Sequence, residues 1–190
     1  MAARFFDLSE DVQEGNWFLE DPVDMNSVEV EVDPWMFRAG KPIQMPERLR
    51  IPIGEPGRSR DFSLAGIGLT PIVHVKLATV LAERAAADVQ LLPVDIPGQP
   101  DQYVLVVATK TLRCIDEKAS EEVLFWEPRH NKPEKLGQYR SVYGMRIDPS
   151  KVGATQLFRP WGWRVALIVS EDLKTALEQT GATGMYFTEV

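Results

Sequence analysis

The sequence predicts an α+β fold: a mixed, largely antiparallel sheet with two or three helices and an irregular Pro/Gly-rich N-terminal third. Three observations predict it. Residues 15 to 60 hold Pro22, Pro34, Pro42, Pro46, Pro52 and Pro56 with Gly15, Gly40, Gly54 and Gly57, a density that interrupts helices and keeps strands short. From Asp88 onward, apolar runs recur at similar intervals between turn-forming residues, the pattern of successive strands. Near the end, EDLKTALEQT has helical spacing, with a serine before it and a glycine after it.

Taken in order, short strands are expected at Arg4–Leu8, Val28–Val32 and Leu49–Ile53. The glycines of GIG at 66 to 68 read as a hinge ahead of a helix. In that helix Thr70 is the N-cap, Pro71 the first helical residue, and Ile72, Val75, Ala78, Val80, Leu81 and Ala82 an apolar face reaching about Glu83. Its β-branched content makes strand the competing reading. VQLLPVDI and QYVLVVATKTLRCI, separated by IPGQPD, are apolar enough to be central strands. EEVLFWEP, RSVYGMRIDP and GWRVALIVS follow as further strands. Ser170 then caps a helix whose Leu173, Ala176 and Leu177 share a face, with Glu171 and Asp172 in its first turn and Gly181 as its stop. MYFTEV is a last strand.

At 190 residues with 44% hydrophobic content, the chain is expected to form one domain, with residues 1–60 as an acidic and basic N-terminal lobe and 61–190 as the α+β core. Its one cysteine, Cys114, allows no intramolecular disulfide and no thiol cluster, which suits a reducing compartment. MAARFFDLSEDVQEG lacks the apolar stretch of a signal peptide, and no window reaches the roughly 18 apolar residues of a membrane helix. A cytoplasmic protein is expected, its oligomeric state left open. A sequence pI near 5.0 argues against direct binding to nucleic acid or to an anionic membrane, because both attract an excess of Lys and Arg.

The negative charge is concentrated. Asp7, Glu10, Asp11, Glu14, Glu20, Asp21, Asp24, Glu29, Glu31 and Asp33 fall in an interval without Lys or Arg, and the rest of the chain holds 18 acidic against 21 basic residues. The whole net charge of −7 therefore comes from this interval. As a strand, VEVEV would direct Glu29, Glu31 and Asp33 outward ~6.6 Å apart, a repulsion of only ~0.6 kcal/mol per neighbouring pair in water. Such charge needs no function. It could protect a sheet edge from aggregation, or fold against the segment from 38 to 60, where Arg38, Lys41, Arg48, Arg50, Arg58 and Arg60 outnumber Glu47 and Glu55. The sharper reading is a docking face for a basic protein partner. Trp17 and Trp35 bracket the run as anchors, so the candidate partner-binding residues are Trp17, Glu20, Asp21, Asp24, Glu29, Glu31, Asp33 and Trp35.

Signals for catalysis are few. The nucleophile elbow, the phosphate-binding loop and the zinc-protease helix are all missing from the sequence. His74, among apolar neighbours in PIVHVKL, reads as a core or boundary residue, and His130 lies in a polar loop. Cys114 reads as a buried small hydrophobe rather than a nucleophile. Asp116, Glu117, Glu121 and Glu122 could serve a hydrolase or transferase, with or without His74, or hold a divalent cation; the simpler reading is a turn whose side chains satisfy backbone donors. Trp161 and Trp163 straddle a glycine and could form an exposed platform, with core packing the simpler account. No catalytic residue, metal ligand or cofactor is assigned.

RCIDEKASEE (113–122), YGMRIDPSKVG (143–153), QLFRPWGW (156–163) and ALIVSEDLKTALEQTGATGMYFTEV (166–190) occur in an order that resembles the immunity-protein family of bacterial polymorphic toxin systems numbered eleven. Cys114, Asp116 and Ser120, then Asp148, Phe158 and Arg159, then Ser170, Glu171, Gly184 and Phe187 occupy the family's places. RFFDLSED, FSLAGIG and DVQLLPVDIPGQPDQ resemble its myxobacterial branch. The resemblance implies a non-enzymatic cytoplasmic antidote that binds a cognate toxin, often a nuclease or another effector encoded nearby. The shared positions read as fold determinants, which leaves the acidic first third, where the resemblance is weakest, as the expected toxin surface.

Overall fold

The structure, a computed structural model, describes residues 3–24, 32–44 and 48–190. Of the strand expected at Val28–Val32, only Val32 is among them, so Glu29 and Glu31 lie outside the described residues.

In chain order, the first half contributes β1 (Phe5–Glu10), β2 (Phe18–Leu19), β3 (Val23–Asp24), a 3₁₀ turn (Pro34–Arg38), β4 (Leu49–Arg50) and β5 (Ile53–Glu55). It continues with β6 (Phe62–Ala65), β7 (Thr70–His74), α1 (Val75–Arg84) and β8 (Val89–Asp95). The second half contributes β9 (Tyr103–Ala108), β10 (Thr111–Leu112), β11 (Glu122–Phe125), β12 (Tyr139–Tyr143), β13 (Leu157–Pro160), β14 (Ile168–Ser170), α2 (Glu171–Glu178) and β15 (Met185–Glu189). The fold is mostly sheet with two helices, and the expected sheet is two. One has the order β3-β4-β8-β9-β7-β6 and the other β10-β13-β14-β1-β15. Each is antiparallel except for one parallel pair, β4 with β8 and β10 with β13. β11–β12 and β2–β5 are separate small pairings.

Alternation along the strands explains the layers. On β9, Val104, Val106 and Ala108 enter a central core, while Tyr103, Leu105 and Val107 enter a second core on the opposite face. Both faces are covered, so YVLVVA is apolar and buried throughout. The central core joins the two sheets: Phe6 and Leu8 of β1 and Val169 of β14 meet Leu77 and Leu81 of α1 and Leu173 and Leu177 of α2. The second core is closed by Trp17, Leu19 and Phe37 from the N-terminal region. A third, with Phe5, Phe158 and Ile168, is covered by the chain from Cys114 to Val152.

Several elements depart from expectation. Thr70–His74 is a strand, and the helix starts only at Val75. Thr70, Pro71, Ile72 and Val73 are all buried between β6 and β9, an environment that suits β-branched side chains better than a helix does. His74 provides the cap instead, its Nδ1 accepting from the N–H of Lys76 at 3.2 Å. The glycines at 66 and 68 form the turn of the β6–β7 hairpin rather than a hinge before a helix. Within GWRVALIVS only Ile168–Ser170 is strand, and LFRP before it supplies the unexpected β13. The first third is not an irregular lobe throughout, because β1 lies inside the five-stranded sheet between β14 and β15. The last helix is as expected: Ser170 Oγ accepts from the N–H of Leu173 at 3.1 Å, and Gly181 follows at φ +65°.

Candidate functional site

Most of the described carboxylates in the acidic run hold the protein's own chain. Asp7 accepts from the N–H of Leu167, just before β14, and Glu10 from that of Leu64 on β6 of the other sheet. Asp11 pairs with Arg60 at 3.4 Å, and Asp33 caps the 3₁₀ turn by accepting from Trp35 N–H at 3.0 Å. Asp21 grips the β6–β7 turn, accepting from the N–H groups of Ile67 (3.0 Å) and Gly68 (2.9 Å). The approach is so close that a side chain at Gly66, where φ is +57°, would strike the Asp21 carboxyl. The basic segment also folds against the acidic one: β3 pairs with β4, β2 with β5, and Arg58 donates to the carbonyl of Glu14.

The acidic run still borders an open surface. Phe18, Glu20, Asp21, Pro22, Pro34 and Ile67 line a cleft of about 380 Å³. Glu20 is exposed, and Phe18 and Ile67 are 51% and 70% exposed, leaving apolar rings and branches in water beside carboxylates. Asp24 lies half-buried on β3. Trp17 requires a correction. It is 4% exposed, its ring packs near Tyr103, and its Nε1 donates to Ser63 Oγ at 2.9 Å. A long-range hydrogen bond and a covered ring make it a core residue, with no surface left to anchor a partner. Trp35 is 50% exposed, as an anchor would be, but it faces elsewhere.

Trp35 lines a second, larger cleft of about 640 Å³. Its walls come from three places: the 3₁₀ turn gives Trp35 and Arg38, the β11–β12 hairpin gives Trp126, Lys135 and Arg140, and the β13–β14 loop gives Trp163 and Arg164. Among the described residues, no carboxylate lines it. Arg38 lies over the Trp35 ring at 4.3 Å and Lys135 over Trp126 at 5.0 Å. Beneath it, Arg159 is completely buried, and one of its terminal nitrogens donates to the carbonyls of Arg164, Val165 and Ala166 at 3.1–3.3 Å. Its Nε and other terminal nitrogen have no hydrogen-bond partner among the described residues. Burial, reinforced by the charge of Arg38 and opposed by Asp7, pushes the Arg159 guanidinium down to about 9, still protonated at neutral pH. Burial and the charge of Arg164 likewise lower Arg38, opposed by Asp21. Of these residues the sequence had singled out Trp35, Trp163 and Arg159, but Arg38, Lys135, Arg140 and Arg164 are so far apart in the chain that no local signal joined them.

Most of the candidates for chemistry hold structural roles, while Glu121 and Glu122 are exposed. Asp116 accepts from the N–H groups of Lys118 and Ala119 at 3.0 Å, closing the expected turn. Glu117 accepts from the Tyr139 hydroxyl at 2.8 Å. Ser120 Oγ donates to Asp116 O and accepts from Arg146 N–H. His74 caps α1 beside Tyr103 and Asp101, away from that turn. Cys114 is fully buried, and burial pushes its thiol up to about 12, so it carries no thiolate near neutrality. Among the described residues, no group of three or more His, Cys, Asp or Glu is placed to hold a metal ion, and no helix is long and apolar enough to cross a membrane.

Residues 87–190, more than half of the chain, match the Immunity protein family (Imm11). The chain belongs to that family. No curated protein matches it. The immunity-family segment runs from the start of β8 to the end of the chain and contains the resemblance positions, whose roles are structural here: Asp148 caps a 3₁₀ turn through Ser150, Ser170 caps α2, and Gly184 adopts φ +96° against the Phe62 carbonyl. The acidic cleft lies wholly outside this segment. The cationic cleft lies mostly inside it; among the described residues, Trp35 and Arg38 are the part of its lining that comes from the N-terminal region.

Proposed function

We propose that this immunity-family protein, working as one domain over residues 1–190, neutralises a cognate toxin by binding it, without making or breaking a bond. The toxin is a basic domain, such as a nuclease, held in the cytoplasm against the acidic surface of Glu20, Asp21, Asp24, Glu29, Glu31 and Asp33. Phe18 and Ile67 replace Trp17 as apolar anchors beside these charges. The observation that carries this reading is the placement of the acidic cleft. An antidote needs a common scaffold and a variable recognition surface, and the exposed acidic and apolar surface falls outside the residues matched to the family.

Internal roles decide which residues test it. Asp21 and Asp33 support the backbone, so their replacement would confuse folding with binding. The cleaner variant is Glu20→Lys with Glu29→Lys and Glu31→Lys. Co-expressed with the toxin encoded beside its gene, it should lose protection while keeping the far-ultraviolet spectrum and melting temperature of the parent. Full protection by the triple variant would remove the acidic surface from the interface.

A further inference from the structure

An acidic docking surface leaves the cationic cleft unexplained. Four cations, Arg38, Lys135, Arg140 and Arg164, line a single concavity of a chain whose net charge is −7. Among the described residues none of the four forms an ion pair, although eight other Arg, Lys and His side chains do. The fully buried Arg159 below them keeps two nitrogens without hydrogen-bond partners among the described residues. Like charges gathered in one concavity repel one another, and among the described residues Asp21 acts on Arg38 and Asp7 on Arg159 in partial compensation. An external anion would complete the arrangement.

The geometry also narrows the anion. One face of Trp35 carries Arg38 and one face of Trp126 carries Lys135, which reduces the stacking surface open to a nucleobase. A guanidinium lying flat on an indole keeps its N–H edges free, and those edges match the paired oxygens of a carboxylate. Trp, Tyr and Arg are the residue types that dominate the energetic centres of protein interfaces, and Trp163 and Arg140 add to the set here. The 3₁₀ turn joins the two clefts: Pro34 lines the acidic one, while Trp35 and Arg38 line the cationic one.

We propose that the cationic cleft is a second docking point that takes an acidic polypeptide segment of the protein partner, its carboxylates seated on Arg140 and Arg164 and its apolar atoms on Trp35 and Trp163. The inference rests on the reading of this protein as a partner-binding molecule, and it adds that the partner presents both signs of charge. Two adjacent clefts of opposite sign admit such a partner in one orientation only.

The direct test uses acetylated hexaglutamate as the probe and tryptophan fluorescence as the readout, since three of the five tryptophans line this cleft. Titration should give a saturable change that weakens in high salt and loses about tenfold or more in affinity in Arg140→Glu/Arg164→Glu, two exposed positions, but not in Lys118→Glu. No saturable change, an unchanged response in the double variant, or saturation by a six-nucleotide RNA instead would overturn it. Protection against the neighbouring toxin separates the two readings. If the parent protein neither binds nor neutralises that toxin, the proposed function fails. If it does, and the double variant protects as well, only this inference fails.

Discussion

The acidic and cationic clefts flank the same short 3₁₀ turn, yet their charge is assembled in opposite ways. The acidic one draws on a contiguous run, and Asp7, Glu10, Asp11, Asp21 and Asp33 of that run accept hydrogen bonds or an ion pair from the protein itself. The cationic one draws on positions 38, 135, 140 and 164, which bear no ion pairs among the described residues. A run of like charge in a sequence therefore overstates the surface field until its internal uses are subtracted. A field assembled by the fold from distant residues is missed altogether by reading along the chain.

The largest expected effect lies on the cationic side. Arg159→Ala would remove the donor to three carbonyls and leave Asp7 buried without its countercharge, at a cost of about 3–5 kcal/mol. For a domain of this size each kcal/mol lowers the melting temperature by roughly 2–4 °C, so calorimetry should show a fall of about 10 °C. The comparison predicts a second consequence: hexaglutamate binding should weaken too, because the Arg164–Ala166 backbone loses its support. Parent-like melting would mean that the cleft floor does not depend on this buried guanidinium.

The acidic side should divide into a structural half and a surface half. Asp21→Ala strands two turn N–H groups and should cost about 1–2 kcal/mol, whereas Glu20→Ala, a change at an exposed side chain, should stay within about 0.5 kcal/mol. Urea titration of the two variants measures the difference. Equal losses would show that the cleft carboxylates cannot be divided into chain-holding and partner-facing groups.

The same contrast separates what was legible in the sequence from what was not. α2 could be read in advance because its signals are local: a serine, two acids, a face of three apolar residues and a glycine all lie within twelve positions. The strands VQLLPVDI and YVLVVA were legible through their continuous apolarity. Thr70–Pro71 misled because a Thr-Pro pair is as good a helix start as a strand segment, and burial on both sides of β7 decided between them. Trp17 misled for a related reason. It stands at the edge of the acidic run, but its side chain crosses to Ser63, a contact no local pattern encodes. The partition between two sheets also escaped, since β1 joins β14 and β15 from the far end of the chain.

The smallest predicted effect concerns acid. Burial raises Asp7 and Glu10 above the ordinary carboxylate range, outweighing the backbone N–H groups of Leu167 and Leu64 and the charges of Arg159 and Arg60 that act the other way. Between the ordinary value and the raised native one, the folded chain binds more protons than the unfolded chain, so in that window stability rises as pH falls. The lowered Asp61, paired with Lys76 and bonded to Thr183, has the opposite sign: its contribution is present above the unfolded value and is lost as pH falls through the native one. Stability should therefore pass through a shallow maximum on the acidic side of neutrality before declining. Between pH 7 and that maximum the melting temperature should gain about 2 °C or less. Glu10→Gln, which keeps an oxygen to accept from Leu64 but cannot ionise, should flatten part of that rise. An identical pH profile in the variant would show that Glu10 is as well solvated as a surface carboxylate, and would move it from the chain-holding group to the partner-facing one.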